Sequence, residues 1–292
     1  ERRPDIVGVT AAMLHPVGLA PFAARHPDRV FDVGIAEQHA VTSAAGMAVA
    51  GLHPVVALYS TFLNRAFDQL LMDAGLHHEG VTIVLDRAGI TGTDGASHNG
   101  MWDMAMCGIV PGLMLSAPRD CQHLVSVLNE AVDINDRPTV IRYSKDPMPD
   151  DIRVVASHDG LDVLRDGPGD GILLVAHGQL CAPALAAVDQ LDFPVRVVSP
   201  RWSLPVCRGL IEEAAEARAV VSVEDGLVVS GLGSHLADAL SRRGLWRPIR
   251  NLGIPQRYLG HDSRSAIMAE LGLDAPGIAD VVSQLVSQLG GE

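Results

Sequence analysis

Positive charge, and lysine above all, is scarce in this sequence. Its 292 residues include 22 Lys and Arg against 35 Asp and Glu, and Lys145 is the only lysine. The formal net charge of −13 would repel a phosphate backbone over most of the surface. We therefore expect no nucleic acid partner. Chemistry that needs an imine with lysine has a single candidate residue.

Cysteine motifs and a plain membrane segment are also lacking. The cysteines at 107, 121, 181 and 207 lie far apart, with neither a CxxC pair nor the spacing of a zinc site. This pattern favours reduced thiols and a cytoplasmic location. A stretch without Asp, Glu, Lys or Arg runs from 40 to 64, but the turn residues Gly51-Leu52-His53-Pro54 interrupt it. We expect a helix and a strand there, and no contact with a membrane.

Short apolar runs alternate with segments of helical spacing in the first half of the chain. Hydrophobic residues make up 48% of the sequence, and 292 residues leave room for two domains. Strands are predicted at 6–9, 30–33, 55–58, 81–85, 113–116 and 140–143, and helices at 36–50, 62–74, 101–107 and 121–133. Because the strand runs are apolar on both faces, they predict a mainly parallel sheet covered by helices, a doubly wound α/β fold.

A change of composition divides the chain. From 145 to 170 the sequence is rich in Asp, Pro and Gly with few apolar pairs, which is typical of a connector. A second, smaller α/β series follows, with strands at 172–176, 195–199, 219–223 and 249–252 and helices near 182–191, 209–217 and 234–243. We predict a first domain over 1–148, a linker over 149–168 and a second doubly wound domain over 169–292.

Three polar clusters directly follow predicted strands of the first domain. Ligands of open parallel sheets bind at the carboxyl ends of the strands, so these clusters are the first candidates for a site. They are Gly34-Ile35-Ala36-Glu37-Gln38-His39-Ala40, the segment 59–69 and the segment 86–100. The last has four glycines among its fifteen residues, which is typical of an active-site loop.

Each cluster also has a purely structural interpretation. Glu37 could be an ordinary acid at a helix N-terminus. Phe62 and Phe67 have the spacing of core residues, and the glycines of 86–100 could merely turn a surface loop. Taken singly, an arginine such as Arg65 or Arg87 is more often a partner in a surface ion pair.

The three clusters together carry a resemblance to a known family. Gly34-Ile35-Ala36-Glu37-Gln38-His39, Tyr59-Ser60-Thr61-Phe62 and Asp86-Arg87-Ala88-Gly89 with His98 resemble the 1-deoxy-D-xylulose-5-phosphate synthase family. The similarity continues through Arg142-Tyr143, Ser199-Pro200-Arg201-Trp202, Val223-Glu224-Asp225-Gly226 and Gly253-Ile254-Pro255. It extends over the transketolase-like pyrimidine-binding domain and the transketolase C-terminal domain of that family, and not over its first domain.

The resemblance implies a thiamine-diphosphate-dependent transferase of isoprenoid biosynthesis, which condenses pyruvate with glyceraldehyde 3-phosphate to 1-deoxy-D-xylulose 5-phosphate and CO₂. Glu37 would hydrogen-bond the aminopyrimidine of the cofactor, and His98 would also act in catalysis. Phe62 and Ile35 would contact the cofactor. The substrate-binding residues that the match implies are Tyr59, Arg65, Arg87, Asp94 and Arg142. It implies no metal ligand in this chain, since Mg²⁺ and the diphosphate belong to the absent first domain.

Partners and alternative functions follow from the same resemblance. A site of this class lies between two domains, so we expect a homodimer or a hetero-oligomer with a diphosphate-binding subunit. The chain could be a synthase that lacks its first domain. It could also be the second subunit of a split transketolase-like ketol transferase in a specialised pathway. The third alternative is a non-catalytic scaffold or regulator.

Overall fold

Two six-stranded sheets, one in each half of the chain, organise the computed structural model, which describes residues 3–290. The strands are β1 Ile6–Thr10, β2 Val30–Asp32, β3 His53–Tyr59, β4 Thr82–Asp86, β5 Met114–Ser116, β6 Thr139–Arg142, β7 Ala156–His158, β8 Leu161–Arg165, β9 Ile172–Ala176, β10 Val195–Pro200, β11 Ala219–Leu227 and β12 Ile249–Ile254. The helices are α1 Ala20–Arg25, α2 Glu37–Val49, α3 Phe67–Gln69, α4 Asp103–Cys107, α5 Cys121–Ala131, α6 Cys181–Val188, α7 Arg208–Glu216, α8 Leu232–Arg242, α9 Arg264–Glu270 and α10 Ala275–Gly290.

The first sheet is parallel throughout, with the strand order β2-β1-β3-β4-β6-β5. Its central strands are buried on both faces, which explains their nearly continuous apolar runs. The order reverses between β1 and β3, so a crevice opens at the carboxyl ends of these strands. The six strands predicted in this half are all present, and the predicted fold class is confirmed.

The second sheet is mixed, with the order β12-β11-β9-β10-β8-β7. Strands β12, β11, β9 and β10 are parallel, whereas β8 and β7 are antiparallel to their neighbours. Both antiparallel strands lie within 149–168, where the sequence predicts only a connector. They escape a pattern-based prediction because β7 has three residues at the sheet edge and is largely exposed, while β8 follows it after a two-residue turn.

A second difference concerns the helix predicted over 62–74. In the structure this segment is a 3₁₀ helix at Ser60–Ala66, the short helix α3 and a π-helical turn at Leu70–Gly75. The side chains at its start bind another loop: the Ser60 hydroxyl donates to the Gly100 carbonyl at 3.0 Å, and the Thr61 hydroxyl donates to the Ser97 carbonyl at 3.0 Å. These bonds tie the exit of β3 to the segment 86–100.

One of the apolar clusters spans both sheets. Buried residues of the first domain, such as Leu115, and of the second, such as Leu161 and Leu210, belong to a single contiguous cluster. Leu115 also pairs with Leu204 through the backbone, with its N–H 2.9 Å from the Leu204 carbonyl. No helix between residues 3 and 290 combines the length and apolar character that crossing a bilayer requires.

Candidate active site

Glu37 is a buried carboxylate at the first position of α2. The turn before it is fixed by Asp32, whose carboxylate accepts from the backbone N–H of Ala12 at 2.7 Å and of Gly34 at 3.0 Å. Gly34 has φ of 71°, a conformation that favours glycine. Only 2% of the Glu37 surface is exposed, and its oxygens lie 3.1 and 3.3 Å from Nη1 of Arg65. A buried carboxylate with one half-exposed cationic neighbour is suited to binding a polar group from outside the chain.

Aromatic rings follow Glu37 along the same edge of the sheet. The Arg65 guanidinium lies over the Phe62 ring, 5.1 Å from its centroid. Phe62 is stacked on Tyr59, with centroids 5.8 Å apart and planes at 15°, and it meets His98 edge-on at 5.9 Å. Burial raises the pKa of Tyr59, so its hydroxyl is protonated at neutral pH and can donate a hydrogen bond.

Two cations and one carboxylate lie at the other end of this edge. The Arg87 guanidinium lies 4.2 Å from the centroid of the Tyr59 ring, and its Nη1 is 2.6 Å from Oδ2 of Asp94. Lys145 binds the other oxygen of Asp94 at 2.8 Å. These two cations hold the pKa of Asp94 below its usual value, with the Lys145 hydrogen bond as the largest cause. Two cations around one carboxylate leave a net positive charge at this end of the edge, a charge that suits phosphate and hydroxyl groups.

The contacts form one continuous row, which we call the edge row: Glu37, Arg65, Phe62, Tyr59, Arg87, Asp94 and Lys145. It joins all three clusters that the sequence marks as candidates, and His98 lies beside it. Ile35 is 80% exposed next to Glu37, which gives the row an apolar neighbour at one end. Across residues 3–290, no group of three or more His, Cys, Asp or Glu side chains is arranged to hold a metal ion.

Arg142 does not reach the edge row. It is only 4% exposed, its Nε donates to Asp103 at 2.6 Å, and its Nη2 donates to the Asp225 carbonyl at 2.7 Å. Asp103 belongs to the first domain and Asp225 to the second. The arginine therefore links the two domains, and its Nε and Nη2 are both engaged in these contacts.

Lys145 belongs to the edge row, although none of the three sequence clusters includes it. It comes three residues after the end of β6, at the same edge of the sheet as those clusters. Its position after a strand of the parallel sheet was the available signal.

A second buried carboxyl group, Glu224, lies at the domain junction near Arg142. It is fully buried and accepts from the backbone N–H groups of Leu232 at 2.8 Å and Gly233 at 3.2 Å, at the start of α8. Burial raises its pKa to about 7, and the two hydrogen bonds and Arg142 oppose this only in part.

Glu224 predicts a pH dependence of stability. Because its pKa is raised on folding from 4.5 to about 7, the folded state binds this proton more tightly than the unfolded state. The contribution of Glu224 is therefore most favourable below pH 4.5 and is lost as the pH rises through 7, by up to about 3 kcal/mol. We expect the free energy of unfolding of Glu224→Gln to fall less between pH 5 and pH 8 than that of the parent chain, as measured by urea unfolding. Glu216→Gln, at an exposed position, is the control. If the free energy of unfolding of Glu224→Gln changed with pH as much as that of the parent chain, the raised pKa of Glu224 would be contradicted.

Comparison with known proteins identifies the family. Residues 1–150 match the family model described as transketolase, pyrimidine binding domain, and residues 161–278 match that described as transketolase, C-terminal domain. The chain belongs to the transketolase family. Individual relatives also confirm the resemblance that the sequence predicts within this family.

Two curated relatives illustrate the likeness of this transketolase-family chain to synthases. A 1-deoxy-D-xylulose-5-phosphate synthase of Cutibacterium acnes is 92% identical over 292 residues, which are 100% of this chain and 47% of the relative. A 1-deoxy-D-xylulose-5-phosphate synthase 2 of Streptomyces avermitilis is 53% identical over 296 residues, covering 100% of this chain and 46% of the relative. The chain thus spans about half the length of the curated relatives it matches.

Solved structures of the transketolase family share the fold. One is described as a split gene transketolase, inactive beta4 tetramer; it is 27% identical with a TM-score of 0.81, over 97% of this chain and 92% of that one. A transketolase from Campylobacter jejuni has a TM-score of 0.78 at 16% identity, over 97% of this chain and 44% of that one. At that identity the second likeness concerns the fold alone.

Proposed function

We propose that the chain forms the pyrimidine-binding and C-terminal part of a thiamine-diphosphate-dependent 1-deoxy-D-xylulose-5-phosphate synthase. This enzyme would condense pyruvate with glyceraldehyde 3-phosphate to 1-deoxy-D-xylulose 5-phosphate and CO₂. The observation that carries the proposal is Glu37, a carboxylate only 2% exposed at the start of the edge row. The 92% identity to a synthase of that name supports the choice of reaction.

The residues around Glu37 fit the aminopyrimidine half of thiamine diphosphate. The carboxylate can share a proton with a ring nitrogen, and Phe62 and the exposed Ile35 supply apolar contacts for a flat heteroaromatic ring. When bound, the cofactor supplies the nucleophilic carbon that accepts the acyl group of pyruvate. We assign the diphosphate and its Mg²⁺ to residues outside this chain, in a separate domain or subunit.

The other residues of the edge row suit the two anionic substrates. Arg65 lies beside Glu37 and is 51% exposed, so it can meet an anionic group of a substrate bound near the cofactor. Arg87 and Lys145 are suited to the phosphate of the aldehyde acceptor, and Asp94 and the Tyr59 hydroxyl to its hydroxyl groups. His98, edge-on to Phe62, is available to orient a substrate oxygen or transfer a proton. Arg142 supports the site from the domain junction.

A specific observation favours a second candidate. The split gene transketolase covers nearly the same extent as this chain, 97% of one and 92% of the other, and its tetramer is described as inactive. A split ketol transferase, which takes a two-carbon unit from a ketose phosphate, could use the same edge row. Both candidates lead us to infer that this chain needs a diphosphate-binding domain or subunit for activity, and that it forms oligomers.

A chimaera tests the proposed function. The part of the Cutibacterium acnes relative outside the matched region is joined to this chain, whose 92% identity to the replaced part should preserve the contacts between them. With thiamine diphosphate and Mg²⁺, we expect the chimaera to release CO₂ from pyruvate when glyceraldehyde 3-phosphate is present. The expected product is 1-deoxy-D-xylulose 5-phosphate, detected by mass spectrometry. This chain alone, under the same conditions, is the control and should release none.

The donor distinguishes the two candidates. A chimaera that ignores pyruvate and transfers two carbons from a ketose phosphate would favour the ketol transferase. A folded chimaera that uses neither donor would contradict both enzymatic proposals and leave the scaffold.

A further inference from the structure

We propose that the second domain acts as a clamp on the acceptor end of the edge row, with Arg264 and Asp225 as positioning residues. The proposal deepens the proposed function, because it assigns a role in acceptor binding to residues that touch no substrate. It rests on contacts that cross between the domains at two separate segments of the first domain.

The first clamped segment is the loop 86–100, which carries Asp94 and His98. Asp225 accepts the backbone N–H of Ile90 at 2.9 Å, and Arg264 donates to the Ile90 carbonyl at 2.6 Å. Asp225 and Arg264 also form an ion pair, with Nη1 and Oδ2 2.6 Å apart. Both polar groups of one loop residue are therefore held by a single charged pair from the second domain.

The loop approaches the second domain closely at its glycines. A Cβ atom on Gly89 would overlap the carboxyl group of Asp225, and one on Gly92 would overlap the backbone of Arg264. Further along the loop, Nε2 of His261 lies 2.9 Å from the Thr93 carbonyl, one residue before Asp94. The loop is thus fixed to the second domain on both sides of Gly92.

The second clamped segment is 144–147, which carries Lys145. Nε of Arg264 binds Oδ2 of Asp146 at 2.6 Å. Gln179, also of the second domain, accepts the Ser144 backbone N–H at 3.0 Å and donates to the Pro147 carbonyl at 3.2 Å. Arg264 therefore binds both segments that meet at the Asp94–Lys145 ion pair.

The geometry makes Arg264 difficult to replace. Its planar guanidinium reaches Ile90, Asp146 and Asp225 together, and its side chain is only 12% exposed. A lysine has a single nitrogen and cannot span the three acceptors. Without the clamp the two segments lose their fixed separation, and the cations Arg87 and Lys145 lose their fixed positions around Asp94.

Hydrogen exchange in this chain alone tests the clamp without any need for activity. We expect Arg264→Gln to accelerate deuterium uptake in peptides covering 88–99 and 143–147, and not in peptides from β3. His261→Ala, which removes one contact at the surface, should accelerate uptake in 88–99 alone. The control is Arg257→Gln. Arg257 precedes α9 and forms an exposed ion pair with Glu270, the last residue of that helix. Unchanged uptake in both clamp variants, with folding intact by circular dichroism, would overturn the proposal.

Kinetics of the chimaera test the link to acceptor binding. For Arg264→Gln we expect the KM for glyceraldehyde 3-phosphate to rise about tenfold while the KM for pyruvate stays within about twofold. Arg264→Lys should recover part of the loss. Faster exchange with both KM values unchanged would overturn the positioning role. If the unmodified chimaera has no activity, the proposed function fails, and the exchange result still decides whether the clamp exists.

Discussion

Replacing Glu37 with Gln should lower CO₂ release from pyruvate by the chimaera by about a hundredfold or more. Glutamine keeps the size of the side chain and can still accept from Arg65, so the variant removes mainly the negative charge and the ability to share a proton. A positioned acid–base group contributes about 10²–10⁴-fold to a rate, and Glu37 is the group that we assign to the aminopyrimidine. The measurement is CO₂ release at saturating pyruvate and cofactor.

A matched control and a second readout separate catalysis from folding. Glu216→Gln, an exposed change of the same chemistry in α7, should leave the rate within about twofold of the parent. Cofactor affinity, followed by quenching of intrinsic fluorescence, should fall in Glu37→Gln because one hydrogen bond to the ring nitrogen is weakened. A variant that keeps more than half of the parental rate, with unchanged cofactor affinity, would refute the assignment of Glu37.

The sequence predicted the sheets well because most of their strands are buried. Runs such as Val81–Leu85 and Ile172–Ala176 are apolar on both faces, and that pattern can be recognised without knowing the partner strand. The edge strand β7 has no such pattern, since its three residues face largely solvent. The π-helical turn at Leu70–Gly75 was also unpredictable, because helical spacing does not distinguish it from an α-helix.

The residues of the candidate site were likewise predictable only in part. Residues at strand ends, such as Tyr59 and Arg87, could be located because parallel strands deliver their carboxyl ends to one edge. Contacts between the domains could not be located in advance. Arg264 binds Ile90 across 174 residues of sequence, and Arg142 binds the Asp225 carbonyl across 83. Nothing in the local sequence of an arginine indicates whether it will meet a substrate or a distant carboxylate.

Arg142 can be tested for which of these two roles it has, binding a substrate or pairing with a distant carboxylate. We expect Arg142→Met to lower the free energy of unfolding of this chain by about 3–5 kcal/mol, since it leaves the carboxylate of Asp103 buried without its cation. The measurement is urea unfolding at pH 7. Arg137→Met is the matched control: its ion pair with Asp136 is exposed at 41% and 68%, so its loss should cost no more than about 1 kcal/mol.

A double variant shows whether the pair itself is the cause. If the unpaired carboxylate of Asp103 accounts for the loss, Arg142→Met combined with Asp103→Leu should be more stable than the sum of the two single changes predicts, because no uncompensated charge then remains at position 103. If Arg142 serves only to bind a substrate phosphate, Arg142→Met should leave unfolding unchanged and raise the acceptor KM of the chimaera. That outcome would make Arg142 a substrate-binding residue. A large loss of stability with additive double-variant energies would instead mean that Arg142 stabilises the chain through contacts other than Asp103, such as the Asp225 carbonyl.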